Sequence, residues 1–259
     1  MQTIDLKYFG HTISLADLPQ YRKFYGKLAA GTWEPRTFET LGAALDRDTV
    51  YIDIGGWIGV TPFWASRIAK AVIAVEPDPA CLAILTELAP LYPNVTVIAG
   101  ALSPETRVTI HAVEEFGSSE TSILDIGDGA ERSAKGRSFA QILAPVRDEP
   151  LFVKVDIEGY EYTIREEIER LAGYRLKGLQ VALHPQLFEK TLTGPAITRR
   201  AKTLAETARL CRMFGDRFPP PRIGHYAGLA DYLARGILAM RSPRGADAVY
   251  MQKASRRLR

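Results

Sequence analysis

The chain is poor in cysteine and histidine, with two of the first and four of the second. Cys81 and Cys211 lie far apart in helix-like contexts, so they read as reduced core thiols. That excludes a disulfide scaffold and points to a reducing compartment. No stretch approaches the about 18 consecutive apolar residues of a membrane span. The opening MQTIDLKYFG has no apolar run of the signal-peptide kind. A cytoplasmic, soluble protein is therefore the expectation. A strong charge of either sign is also lacking: 33 basic residues face 30 acidic ones, for a net charge of +3. This argues against a nucleic-acid partner. Only Lys253, Arg256, Arg257 and Arg259 form a basic group without acidic neighbours. They read as a solvated tail, with weak contact to an anionic membrane surface or substrate as the sharper alternative. There is no internal repeat, no low-complexity segment, and no phosphate-loop lysine.

What is present is an ordinary globular composition, 46% hydrophobic and 24% charged over 259 residues. That length suits one large domain, or one domain with an attachment. Residues 1–48 read as an N-terminal extension and residues 49–259 as the main domain. In the extension, IDLKYF and TISL form a small hairpin around Gly10-His11, and residues 16–29 look helical. After Pro35, the residues Phe38, Leu41 and Leu45 keep helical spacing with Trp33.

From Val50 the pattern alternates. VYIDI is a strand, followed by a helix from about Thr61 with Pro62 in its first turn. AVIAVEP is a second strand, and Asp78 is placed to cap helix 79–91. VTVIAGAL and VTIHAV follow as strands, and the polar stretch 114–137 reads as a long surface loop. Helix 138–146, strand LFVKVDI, helix 160–172 and strand LQVALHP come next. Helix 196–214, the proline-rich loop GDRFPPPRIG, a short helix near 227–237 and a final strand ADAVYMQ complete the chain. Strands alternating with helices predict an α/β fold with a mostly parallel sheet covered on both faces.

Parallel sheets bind ligands at the carboxyl ends of their strands. The first main-domain strand ends in Asp53, Gly55, Gly56 and Gly59. Glycines there allow a tight turn and close backbone approach, and the next helix aims free N–H groups into the crevice. The second strand ends in Glu76, and an acid at that distance suits a ribose diol. Together these suggest an adenosine-containing ligand. The dinucleotide pattern G-x-G-x-x-G would put its second glycine on Trp57, whose indole obstructs a pyrophosphate. An adenosine ligand without phosphates fits better, and S-adenosylmethionine is the obvious one.

The run FVKVDIEGYE carries a second constellation. By strand alternation Lys154, Asp156 and Glu158 share a face. Such groups are costly in an apolar strand unless paired or set at its mouth. They read either as an ion pair that fixes the strand end or as the lining of the crevice. His184 ends the next strand, placed to orient or deprotonate a hydroxyl. With Asp156 it offers two ligands to a divalent cation, too few to claim a metal site.

These segments resemble the FkbM family of S-adenosylmethionine-dependent methyltransferases over roughly Trp33 to His184. The likeness rests on Trp33-Glu34-Pro35, on Asp53-Ile54-Gly55-Gly56-Trp57-Ile58-Gly59, on Glu76-Pro77 and on Ala101-Leu102-Ser103. The most specific run is Lys154-Val155-Asp156-Ile157-Glu158-Gly159-Tyr160-Glu161, and Leu183-His184-Pro185 completes it. The resemblance implies a Rossmann-like sheet of seven strands with the last antiparallel, and methyl transfer to a hydroxyl of a sugar, glycan or related natural product. It further implies cofactor contacts at Glu34, Asp53, Gly55, Gly56, Trp57, Gly59, Glu76, Pro77, Ala101, Leu102 and Asp156. Asp156 and His184, supported by Lys154 and Glu158, are the expected catalytic group. Two residues depart from the family pattern: Trp57 stands where asparagine is usual, and Ala182 where many members carry an acid. A nicotinamide-dependent oxidoreductase on the same architecture, or a cofactor-binding protein without catalysis, are the alternative readings.

Overall fold

A computed structural model describes residues 1–112, 123–124 and 130–252. The basic tail at Lys253 to Arg259 and most of the expected 114–137 loop lie outside the described residues. The N-terminal hairpin is β1 (Thr3–Tyr8) paired antiparallel with β2 (His11–Ala16), followed by α1 (Arg22–Ala29) and α2 (Pro35–Ala44). The alternating part runs β3 (Val50–Ile54), α3 (Val60–Ala65), β4 (Ala71–Glu76), α4 (Pro79–Leu88) and β5 (Val95–Ala99). It continues through β6 (Ala101–Leu102), β7 (Arg107–Ala112), β8 (Ala130–Arg137), α5 (Phe139–Leu143), β9 (Leu151–Val155) and α6 (Arg165–Glu169). The last part holds β10 (Leu176–Leu183), α7 (Pro185–Thr191), α8 (Ala196–Arg212), β11 (Arg222–Ile223), α9 (Leu229–Leu238) and β12 (Ala246–Met251).

Seven strands form the central sheet in the order β11-β12-β10-β9-β3-β4-β5. Neighbours from β10 to β5 are parallel, and β12 runs antiparallel to β10. The alternation of strand residues divides the interior in two. Val50, Ile52, Ile54, Val153 and Val155 join a core with Phe139, Ile168, Leu210 and Tyr232 of α5, α6, α8 and α9. Tyr51, Val72 and Phe152 face the other way, into a core with Leu28, Phe38, Trp64 and Leu85 of α1 to α4. The hairpin joins that second core through Ile13 and Leu15. Helices thus cover both faces, as expected for a Rossmann-like α/β sheet. Both cysteines are free and buried.

Four local expectations need correction. Residues 130–137, expected in a loop, form β8 against β7 in register from Arg107–Lys135 to Ala112–Ala130. Their composition, AERSAKGR, has little intrinsic strand preference, and cross-strand pairing supplies what propensity lacks. The run VTVIAGAL is cut at Gly100, whose φ is +146° and whose absent Cβ would lie 2.7 Å from the Lys135 carbonyl. β5 therefore stays in the main sheet while β6 joins β8 and β7. The expected helix 160–172 is three short turns, with a 3-10 turn at Tyr160–Tyr162, then α6, then a second 3-10 turn at Arg170–Gly173. The proline-rich loop contributes the edge strand β11.

Candidate active site

The carboxyl ends of β3, β4 and β9 open into a cleft of about 980 Å³, part of it open to solvent. Its lining includes Glu34, Gly55, Gly56, Trp57, Glu76, Pro77, Ala101, Leu102, Lys154, Asp156 and Glu158. Trp33 and Ile123 also reach it. Asp53, Gly59 and His184 are not part of that lining, although the sequence marks all three.

The glycine turn is shaped first by the protein's own neighbours. A Cβ on Gly55, where φ is +94°, would sit 2.0 Å from the carbonyl oxygen of Asp156. The turn after β3 thus lies directly against the end of β9. On Gly59, with φ +97°, a Cβ would sit 2.2 Å from the Phe63 ring. Gly59 starts α3 and serves packing rather than the cleft. Between them Trp57 adopts a left-handed conformation at φ +46°. Its N–H donates to Glu76 Oε2 at 2.8 Å, and the Asp78 N–H donates to Glu76 Oε1 at 2.8 Å. Both oxygens of the buried carboxyl group are held, and the group keeps further hydrogen-bonding capacity. Burial still pushes the Glu76 carboxyl up to about 8, against the two backbone donors. The indole of Trp57 packs on Phe24, Tyr21 and Trp33, with ring centres 4.8, 5.8 and 6.2 Å away. The N-terminal elements therefore form one wall of the cleft.

The opposite wall is ionic. Asp53 and Lys154 are register partners on β3 and β9, and both are buried. Lys154 Nζ lies 2.9 Å from Asp156 Oδ2 and 3.7 Å from Asp53 Oδ1. The Thr61 hydroxyl donates to Asp53 Oδ2. Burial raises the Asp53 carboxyl, with Lys154 and Thr61 pulling it down. For Lys154 burial acts downward, but Asp156, Asp53 and Glu34 outweigh it and keep the ammonium charged. Burial acts upward on Asp156, yet Lys154 and His184 hold it below the usual carboxylate range. Both readings of this run hold together: the ion pair exists, and Lys154 and Asp156 also line the cleft.

His184 stands at the junction of β10 and α7. Its Nδ1 is 3.2 Å from Glu161 Oε1, and its Nε2 is 3.4 Å from Glu158 Oε2 and 3.8 Å from Asp156 Oδ1. Glu161 is fully buried and also accepts the N–H of His184 and of Gly159, each at 2.9 Å. Burial would lower the histidine pKa, but Glu161, Asp156 and Glu158 together raise it to about 10. With only these neighbours it is an imidazolium at neutral pH, which orients groups but accepts no proton. Asp156, held ionised and weakly basic, is also a poor proton acceptor. These directions weigh against either residue as the base.

Glu34 is a further titratable group at the cleft. Although accessible at the rim, its carboxyl faces the cluster, where desolvation raises it to about 7, with Asp156 and Asp247 adding to the rise and Lys154 opposing it. Five non-glycine residues among those described have positive φ, and three of them, Glu34 at +42°, Trp57 at +46° and Glu158 at +51°, line this one cleft. Left-handed backbone of that kind costs about 1–3 kcal/mol per residue and concentrates at functional sites. Sequence reasoning missed Glu161 as the partner of His184, Thr61 as the partner of Asp53, and the Gln180–Thr37 side-chain bond at 3.0 Å beside Lys154. Glu161 alone carried a signal, its place in the K-x-D-x-E-G-x-E run.

No family model and no curated protein matches the chain. Among solved structures, it is similar to Aeropyrum pernix fibrillarin in complex with S-adenosyl-L-methionine, at 14% identity and a TM-score of 0.42, covering 96% of this chain and 82% of that one. It is similar to an rRNA methylase from Streptococcus thermophilus at 13% and 0.42, covering 84% and 94%. A precorrin-6y C5,15-methyltransferase from Geobacter metallireducens aligns at 15% and 0.38, covering 83% and 87%. Likeness at this level assigns neither family nor activity.

Proposed function

We propose that the protein is an S-adenosylmethionine-dependent O-methyltransferase of the FkbM kind, acting in the cytoplasm on a hydroxyl of a sugar, glycan or related natural product. The observation that carries this reading is the fixed Glu76 carboxyl group. It stands at the end of β4, beside a glycine turn that carries no lysine, and across the cleft from an acid-rich wall. The residues fit the cofactor. Glu76 has acceptor capacity for a ribose diol, Gly55 and Gly56 expose backbone to the cleft, and Ala101 and Leu102 supply an apolar flank for an adenine. When bound, S-adenosylmethionine supplies a sulfonium methyl group, displaced with its bonding pair left on sulfur.

The chain's own task is to place and deprotonate the acceptor. Asp156 and Glu158 accept hydrogen bonds from hydroxyls, and the charged Lys154 keeps Asp156 ionised for that purpose. Glu34, held near neutrality, takes the proton as the hydroxyl oxygen becomes nucleophilic. Alignment of the acceptor against Asp156 and Glu158 supplies the larger share of the rate, as positioning does in two-substrate reactions.

Calorimetry tests the reading: S-adenosylhomocysteine is expected to bind in the micromolar range and NAD not at all. Binding of NAD alone would replace the proposal with an oxidoreductase, and binding of neither would remove it. A labelled-methyl screen over sugar nucleotides and glycans then identifies the acceptor.

A further inference from the structure

We propose that Asp156, Glu158 and His184 form a site for one divalent cation of the Mn²⁺ or Zn²⁺ type. One ligand atom from each lies within 4.8 Å of the other two. The separations from His184 Nε2, 3.4 Å to Glu158 and 3.8 Å to Asp156, are long for hydrogen bonds, which centre near 2.9 Å. The shorter equals the spacing of ligands that share an ion, since two atoms each about 2.1 Å from a tetrahedral cation stand about 3.4 Å apart, and the longer closes to it with a side-chain shift of about 0.4 Å.

The surroundings orient all three ligands. The buried Glu161 carboxylate lies 3.2 Å from His184 Nδ1, so when a cation replaces the Nε2 proton the remaining ring proton stays on Nδ1 and the Nε2 lone pair faces the two acids. A carboxylate behind a histidine in this way is the usual second layer of a metal site. Lys154 holds Asp156 by Oδ2, leaving Oδ1 on the histidine side. Glu158 is delivered by its left-handed backbone at φ +51°, with Gly159 at +95° behind it. Three protein ligands leave at least one coordination position for another oxygen, and Asp156 and Glu158 both line the cleft.

The existence of this site stands on geometry alone, whereas its role rests on the methyl-transfer reading. In that role the acceptor hydroxyl takes the remaining position. The cation draws electron density from its oxygen, and the O–H proton passes to the Glu34 carboxylate.

The test uses the full chain, stripped with a chelator and titrated with Mn²⁺ under electron paramagnetic resonance. One Mn²⁺ per chain is expected, with the echo modulation of a single imidazole nitrogen. Glu158→Gln is expected to weaken binding at least tenfold, and Glu161→Gln about tenfold without touching the ion. Thermal melting of each variant establishes that it is folded. If folded wild-type protein binds no Mn²⁺ or Zn²⁺ at millimolar concentration, or the bound ion shows no imidazole nitrogen, the proposal falls. Calorimetry with S-adenosylhomocysteine on the same metal-free sample separates the two ideas. Cofactor binding without metal binding removes only the site, and metal binding without cofactor binding removes only the reading.

Discussion

The two walls of the cleft are built on opposite principles. Around Glu76 the arrangement is made by backbone: a left-handed Trp57, positive-φ glycines, and two N–H groups that hold a single acid. Around Asp156 it is made by side chains, with Lys154 between two carboxylates and His184 among three. Backbone geometry is set by sterics, so on that wall only the acid it holds responds to pH. An ionic network holds through mutual compensation, so removing one member leaves the others uncompensated where water screens them poorly. The first wall suits a ligand whose shape is always the same. The second suits a step in which charge and protons move.

The largest expected effect lies where the walls touch. Gly55→Ala puts a methyl group 2.0 Å from the Asp156 carbonyl oxygen, on backbone with φ +94°. Neither neighbour yields cheaply, since both end central strands. A loss of more than about 3 kcal/mol in stability is expected, read as the urea midpoint. A loss below about 1 kcal/mol would mean that the two strand ends are independent. Next is Lys154→Met, which leaves the buried Asp53 and the partly buried Asp156 without their counter-charge. Removing one partner of a buried ionic group typically costs about 3–5 kcal/mol. A melting temperature close to wild type would show that the second wall does not depend on compensation.

Glu76→Gln strikes the first wall. An amide offers one acceptor and one donor where two backbone N–H groups now find acceptors. Cofactor affinity is expected to fall about 10- to 100-fold, and stability by about 1–3 kcal/mol. The pH dependence carries a sign. The folded Glu76 carboxyl sits near 8, above its ordinary 4.5, so its protonated form favours folding. That contribution is full below pH 4.5 and is lost as pH rises through 8. The stability gap between wild type and Glu76→Gln should therefore narrow from pH 5 to 9, measured by denaturation at each pH. A widening gap would show that the two N–H donors outweigh burial and keep Glu76 ionised.

Legibility in the sequence divides along the same line. The parallel strands β3, β4, β9 and β10 stand out because each is a short, mostly apolar run that ends in a polar residue or is followed at once by a polar or glycine residue. The acids at their ends are placed by strand periodicity alone. What periodicity does not carry is compensation between distant side chains: Glu161 under His184, Thr61 on Asp53, and Glu34 brought in by a left-handed turn before α2. Base strength follows from those contacts, so His184, which looks like a base in sequence, is drawn toward its charged form by the acids around it in the fold. β8 was hidden for a related reason, since its strand character comes from β7 across the pair.

The smallest expected effect is on cofactor affinity in Trp57→Asn, which tests whether the first wall is backbone alone. Asparagine tolerates the left-handed region better than tryptophan does, so φ +46° is kept at less strain. The N–H donated to Glu76 belongs to the backbone and survives the change. What is lost is the indole among Phe24, Tyr21 and Trp33. Aromatic pairs of this kind contribute about 0.5–1.5 kcal/mol each beyond area. Stability should therefore fall by about 1–2 kcal/mol after the backbone gain, while affinity for S-adenosylhomocysteine changes less than about threefold. A tenfold loss of affinity in a protein of unchanged melting temperature would place the ring, rather than the turn, against the ligand. The contrast between a backbone wall and a side-chain wall would then fail at its clearest residue.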